Sequence, residues 1–173
     1  HARGAFYRDL SHWAIFMSNP ATYGWKDNTA TIPPMHVHIE HVELTSEQDE
    51  AVRQLTGQLV VTSSGGIGQR AKIAQIAKGK FKGGDVATLK PGYIRDRIAT
   101  HADESTIIWC KYNPEQEHLA SLFPGCANID GSTPVAKRRE LIADFQAGRI
   151  KVLISKPKIL GLGLNLQIAT RHW

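Results

Sequence analysis

Between Lys151 and Gln167 the chain reads KVLISKPKILGLGLNLQ: an apolar run, a basic loop, then Gly161 and Gly163 with Asn165 just behind them. Glycines so spaced let a backbone come close to a ligand, and Lys158 beside them offers a cation for phosphate. The same glycines equally serve a plain tight turn. The stretch is not the phosphate loop of nucleotide hydrolases, which needs two glycines separated by four residues and followed by Lys and Ser/Thr. That pattern occurs nowhere in the 173 residues. Two other places carry phosphate-friendly groups. Lys111 follows the apolar run STIIWC, and Asp130-Gly131-Ser132-Thr133 stands directly before Pro134. Hydroxyls and backbone N–H groups ahead of a helix suit an anion, although Gly-Ser-Thr is equally a simple helix cap. Arg138 suits a structural ion pair better than a ligand contact, and single lysines are ordinarily solvated charges.

His36, His38 and His41 form a further cluster in the stretch HVHIEHVEL. The alternation predicts a strand with His36 and His38 on one face. Zinc asks for three or four ligands, often with Cys or a carboxylate among them. Glu40 and Glu43 do not stand at a telling spacing, so these histidines are read as solvated or half-buried, and no metal site or catalytic residue is assigned.

The elements that must position the phosphate-friendly residues are clearest after Ser105. STIIWC is a buried-strand run. NPEQEHLASLFPG reads as a helix capped by Asn113, opened by Pro114 and stopped by Pro124 and Gly125. CANID is a short strand. Pro134 opens a second helix with Val135, Leu141, Ile142 and Phe145 apolar and Gly148 as its stop. KVLIS is a third strand. Strand–helix–strand–helix–strand with short connections predicts a parallel sheet covered by helices, in which ligands meet the loops at the carboxyl ends of the strands. Here those loops are KYN, DGST and KPKILGLG.

Before Ser105 the reading is looser. Residues 1–35 are aromatic and irregular (Phe6, Tyr7, Trp13, Phe16, Tyr23, Trp25), with a short helix expected over 6–17. Thr45 with Gln48 is a capping-box pattern opening a helix to about Gln58. TSSGGIGQ reads as a loop or helix break, RAKIAQIAKG as a helix ended by Gly79, KGKFKGGD as a basic linker, and KPGYIRDRIATHA as a helix from Pro91.

Composition fits one domain, or one with an appendage. Hydrophobic residues make up 42% and charged residues 21% of the chain, and there is no run of about 18 apolar residues to span a membrane. Cys110 and Cys126 lack Cys-x-x-Cys spacing and are read as reduced, mostly buried thiols, which points to a reducing, intracellular setting. The formal charge of +5 is compatible with a polyanionic partner. The opening HARGAFYRDL shows neither an initiator Met nor a secretory pattern, which suggests a piece of a longer protein.

Taken in order, STIIWCKYN, IDGSTPVAKRRELIADFQAGRIKVLIS and KPKILGLGLNLQ closely resemble the second RecA-like motor lobe of superfamily-two helicases. The resemblance is nearest to the Swi/Snf-type branch, including helicase-like proteins of phages and prophages. It covers residues from about 90 to 167. In that family the corresponding motifs are a strand and loop (motif four), DGST with an Arg five residues on, and a Gly-x-Gly-Leu-Asn-Leu loop (motif five). The aromatic opening with IPPMHVHIEHVEL looks like the segment joining the two lobes in phage-type members.

The resemblance implies a RecA-like parallel sheet with helices on both faces over residues 36–173, ending before motif six, behind a linker segment at 1–35. It implies that Lys111, Ser132, Thr133 and Lys158 contact nucleic-acid phosphate. Gly161, Gly163 and Asn165 would form one wall of an ATP cleft, with the Asn amide bonding ribose or a neighbouring loop. ATP and Mg would bind only together with a first lobe, which supplies the phosphate-binding loop and the Asp/Glu pair. The partners implied are DNA, or RNA, and that first lobe, with no membrane. The place implied is the cytoplasm of a bacterial or phage-infected cell. The parent would be a DNA-dependent ATPase and this chain alone inactive. Arg171 lacks the Gln-x-x-x-Arg context of motif six and is not assigned as an arginine finger. The alternative is a stand-alone α/β nucleic-acid-binding or scaffold module.

Overall fold

The computed structural model describes residues 24, 35–57, 67–161 and 163–173, and the chain divides into two compact units, His1–Glu40 and His41–Trp173. In the first unit, residues 35–40 carry no helix or strand, and Met35, Val37 and Ile39 are exposed. The strand expected over 36–44 is therefore not formed. No strand among the described residues pairs with it, so its alternation has nothing to bury against. The helix expected over 6–17 and the rest of the aromatic segment lie outside the described residues.

The second unit opens with α1 (Ser46–Thr56). The capping box is present: Gln48 N donates to Thr45 Oγ1 at 3.2 Å and Thr45 N donates to Gln48 Oε1 at 3.0 Å. The left-handed Gly57, φ +63°, ends the helix slightly short of Gln58. Helix α2 (Ile67–Ile76) begins within the stretch read as a loop. Buried Gln48 ties the two helices together, its Nε2 donating to Ile76 O at 2.8 Å. Ala51, Val52 and Ile76 form a small core that Leu55 and Phe81 flank.

Next comes a hairpin where a linker was expected, β1 (Lys80–Phe81) antiparallel to β2 (Gly84–Asp85). Lys82 and Gly83 both have positive φ, +48° and +83°. Two left-handed residues in succession give the tight turn whose twist matches that of the strands it joins.

The main sheet follows helix α3 (Lys90–Ala99), with Pro91 in its first turn. Its parts are β3 (Thr106–Trp109), α4 (Asn113–Leu122), β4 (Ala127–Asn128), α5 (Val135–Gln146), β5 (Val152–Ser155), the single turn α6 (Pro157–Leu160) and β6 (Arg171–His172). The strand order is β4-β5-β3-β6, all parallel, with Ile107 opposite Leu153, Ala127 opposite Leu153 and Thr106 opposite Arg171.

Successive strand residues point to opposite faces, and the two cores separate accordingly. Ile107 and Leu153 pack with Ala127, Ile129 and Phe145, covered by Leu141 and Ile142 of α5 and Leu160 of α6. Ile108 and Ile154 pack with Cys110, Leu119 of α4 and Ile98 of α3. Helices therefore cover both faces, as expected. Val135 departs from expectation: it is exposed at the first position of α5, ahead of the stripe formed by Leu141, Ile142 and Phe145. The stretch read as the loop KPKILGLG contains α6, because Pro157 suits a first helical position and Leu160 enters the core.

Candidate nucleic-acid and nucleotide interface

Because β3, β4 and β5 run parallel, the three loops read from the sequence leave one edge of the sheet. The edge is tied by Cys110 N to Ser155 O (2.8 Å), Ile129 N to Ile154 O (3.0 Å) and Ser155 Oγ to Ile129 O (2.7 Å).

After β3, Lys111 is exposed and its Nζ lies 5.6 Å from the Tyr112 ring centroid. The position preceding α4 is Tyr112, so Asn113 is the first helical residue and not the cap. The capping work falls to Glu115, whose Oε2 accepts from Lys111 N (3.0 Å) and Tyr112 N (3.4 Å). Asn113 instead accepts a hydrogen bond from Lys156 Nζ. The other Glu115 oxygen pairs with Lys78, whose Nζ also lies 5.9 Å from the Tyr112 ring centroid.

After β4, the donors of the DGST loop turn inward. Asp130 Oδ1 accepts from Ser132 N (2.8 Å), Ser132 Oγ (2.7 Å), Thr133 N (2.9 Å) and Thr133 Oγ1 (3.0 Å). Hydrogen bonding, led by the Ser132 hydroxyl, holds the Asp130 carboxyl below its ordinary range. The simple helix-cap reading is corrected: the N-cap of α5 is Pro134, with no side-chain cap bond. An anion already sits on this loop, and it belongs to the chain itself. Arg138, expected in an ion pair, is bound to carbonyls, its Nη2 lying 3.3 Å from Thr133 O and 3.5 Å from Asp130 O. Gln116 braces the same corner from α4, its Nε2 donating to Asn128 Oδ1 (2.7 Å) and Ile129 O (3.0 Å).

After β5, Lys158 is exposed on α6. Gly161 N closes that turn on Pro157 O at 2.8 Å. Gly163 has φ +75° and open space where a side chain would be. Asn165 is exposed; its Oδ1 accepts from Gln167 N (3.2 Å) and its backbone O accepts from Gln146 Nε2 (2.6 Å). Both oxygens of Asn165 are thus used, one within its own loop and one by α5. The amide Nδ2 of exposed Asn165 and the open backbone at Gly163 are the groups on this loop with the chemistry to meet a sugar hydroxyl. Among the described residues no group of three or more His, Cys, Asp or Glu is arranged to hold a metal ion.

The remaining singled-out groups are structural. Arg171 closes on Glu104 through Nε (2.8 Å) and Nη2 (3.2 Å) beside the β3–β6 pairing. The Arg171 hydrogen bond is the main cause of a lowered Glu104 carboxyl. Both cysteines are free, Cys110 buried and Cys126 half-buried. Burial pushes the Cys110 thiol up to about 12 and raises that of Cys126.

Sequence reasoning passed over Lys78 and Lys156, and it named Glu115 and Asp130 only as a first-turn acid and a motif position, without their partners. Glu115 had a readable signal, an acid at the third helical position. Asp130 had another, an Asx-type turn residue two and three positions ahead of hydroxyls.

The parallel four-stranded sheet, covered on both faces and with its loops gathered at one edge, is a RecA-like fold. Residues 89–171 match the family model described as the helicase conserved C-terminal domain. Solved structures share the fold, two of them from one organism. The Sulfolobus solfataricus SWI2/SNF2 ATPase C-terminal domain matches with a TM-score of 0.51 at 20% identity, over 75% of this chain and 66% of that one. The SWI2/SNF2 ATPase core domain of the same organism matches with a TM-score of 0.52 at 20% identity, over 75% of this chain and 32% of that one. The chain thus spans just under two thirds of the first structure and about a third of the second. No curated protein matches the sequence. Among the described residues, no helix is long and apolar enough to cross a membrane.

Proposed function

We propose that the chain is the second motor lobe of a Swi/Snf-type, DNA-stimulated ATPase that translocates on or unwinds DNA. One observation carries this reading above all: the segment matched as a helicase C-terminal domain contains all three loops at the shared sheet edge. Lys111 and Lys158, both exposed, contact DNA phosphates. Ser132 and Thr133 join them only by exchanging the Asp130 carboxylate for phosphate. Gly161, Gly163 and Asn165 line one wall of the nucleotide cleft, with Asn165 Nδ2 donating to a ribose hydroxyl. ATP and Mg would bind only together with a first lobe that brings the phosphate loop and acidic pair, and ATP would there supply the phosphoryl transfer coupled to opening and closing of the two lobes. The parent protein is of the phage helicase-like kind and works in the cytoplasm of a bacterial or phage-infected cell. Support for that part is the resemblance of the opening segment to the phage-type lobe connector.

Fluorescence anisotropy with labelled duplex DNA tests the reading. Binding is expected to be weak, indifferent to sequence and steeply salt-dependent, with the log K against log salt slope reduced by about 0.9 for each of Lys111→Gln and Lys158→Gln. ATPase activity stays at background for the isolated chain. Robust hydrolysis by this chain, strong base preference, or affinity that survives high salt would refute the assignment. A full-length parent without an upstream phosphate loop would favour the scaffold reading instead.

A further inference from the structure

We infer that α2 and the β1–β2 hairpin form a second contact surface for the phosphate backbone of duplex DNA, adjoining Lys111; this rests on the motor-lobe reading and extends its track. Residues 70–88 hold Arg70, Lys72, Lys78, Lys80 and Lys82 against Asp85 alone, a net +4 where the whole chain carries +5. This segment lies outside the stretch that matches the helicase domain, so the motifs of that match do not account for its charge.

The hairpin is also built to hold a position. Phe81 packs against the core of α1 and α2, and Val86 N donates to Gly79 O at 3.0 Å to close its base. Lys82 occupies the apex in a left-handed conformation, with its Nζ 5.0 Å from the Phe81 ring centroid. A non-glycine residue with positive φ is uncommon, and an Asn or Gly at the apex would relieve the strain.

Position supplies the second part of the argument. Lys78, at the root of the hairpin, and Lys111, at the carboxyl end of β3, flank the same Tyr112 ring at 5.9 and 5.6 Å from its centroid. The basic arm thus begins beside the first phosphate contact of the lobe. A cleft of about 540 Å³ separates the hairpin from α4, lined by Lys78, Lys80, Asp85, Pro114 and His118 among others. Two of its cations are already matched, Lys78 by Glu115 and Lys80 by Asp85. Lys72 and Lys82 are exposed, no ion pair among the described residues holds either, and they are the groups that meet phosphate. Point charges, Lys72 on α2 and Lys82 on a two-residue turn, suit a regular polyanion and carry no means of reading bases.

The test is salt-dependent anisotropy of the whole chain on a fluorescein-labelled duplex. The double variant Lys72→Gln/Lys82→Asn keeps the fold, because both sites are exposed and Asn tolerates the left-handed apex; an unchanged thermal melt checks this. Its log K against log salt slope is expected to fall by about 2, with a roughly tenfold loss of affinity at moderate salt. Lys137→Gln, a charge removed from α5, leaves less than a third of that effect. If the double variant binds like the parent chain while Lys111→Gln weakens binding, the arm is not a contact and the lobe's own track stands. If Lys111→Gln is also without effect, the motor-lobe reading beneath the inference falls with it.

Discussion

Three glycines in the loops at the sheet edge are expected to respond differently to the same added methyl group. Gly161 has φ −73° and ψ −7°, a conformation open to any residue. The space is not open. A methyl built there overlaps the Pro157 carbonyl oxygen and stands 3.1 and 3.2 Å from Pro157 C and Cα. These are backbone atoms held by the α6 turn, so they cannot swing aside as a side-chain tip would. Forcing a methyl into packed surroundings costs about 1–3 kcal/mol. Lower unfolded-state entropy returns about 0.4–1 kcal/mol of that. The net for Gly161→Ala is a loss of about 0.5–2 kcal/mol. Gly163 meets nothing within 4 Å but has φ +75°, so Gly163→Ala loses about 1–2 kcal/mol to left-handed strain, with the same offset. Gly131 has neither obstacle, and Gly131→Ala gains about 0.4–1 kcal/mol. Equilibrium urea unfolding measures all three, provided the m-value stays constant. Gly161→Ala as stable as Gly131→Ala would show that the Pro157 turn yields freely, and the reasoning would fail.

Other expectations follow from the cores and the charged groups. Phe145 is fully buried against Ile107, Ile129 and Leu153, so Phe145→Ala is expected to lower stability by about 3–5 kcal/mol; a melting temperature shifted by only a degree or two would contradict that placement. Cys110, buried and raised to about 12, should resist thiol reagents at pH 8 in the native protein and react once urea unfolds it. Rapid native labelling at that site, followed by mass spectrometry, would show the core is open there. Glu104 and Asp130 are both held below their ordinary values of 4.5 and 3.8. Their contribution to stability is therefore complete above those values and is lost as pH falls through the lower folded ones. In acid titrations followed by circular dichroism, Glu104→Gln should flatten the limb below about pH 4.5; an acid limb identical to that of the parent chain would rule the pair out as a source.

The sheet was legible because its central strands are buried on both faces. Such strands are written as short unbroken apolar runs, TIIW and VLIS, and Pro114 and Pro134 mark the helices between them. The hairpin was hidden because the turn signal is normally Asn-Gly or Asp-Gly, whereas here Lys82-Gly83 makes the turn inside a string of lysines and glycines. Alternation misled at 36–44, since a period of two states which residues would share a face but says nothing of a neighbouring strand to pair with. At the candidate site the sequence located the loops but not the direction of their donors. Ser132 and Thr133 look outward on paper, yet a carboxylate two residues away outcompetes solvent for them. The contacts proposed for DNA and nucleotide involve partners outside the chain, and no local pattern encodes them.

Glu115 joins two parts of the molecule that the sequence keeps far apart. One oxygen holds Lys78 at the root of the hairpin, and the other holds the amides of Lys111 and Tyr112. Those two amide protons therefore sense whether the hairpin is seated. Their hydrogen-exchange rates should rise together when Lys78 is replaced by Met and stay slow when Lys80 is. A displacement at the root of the hairpin is thus felt, through this carboxylate, at the loop that carries Lys111.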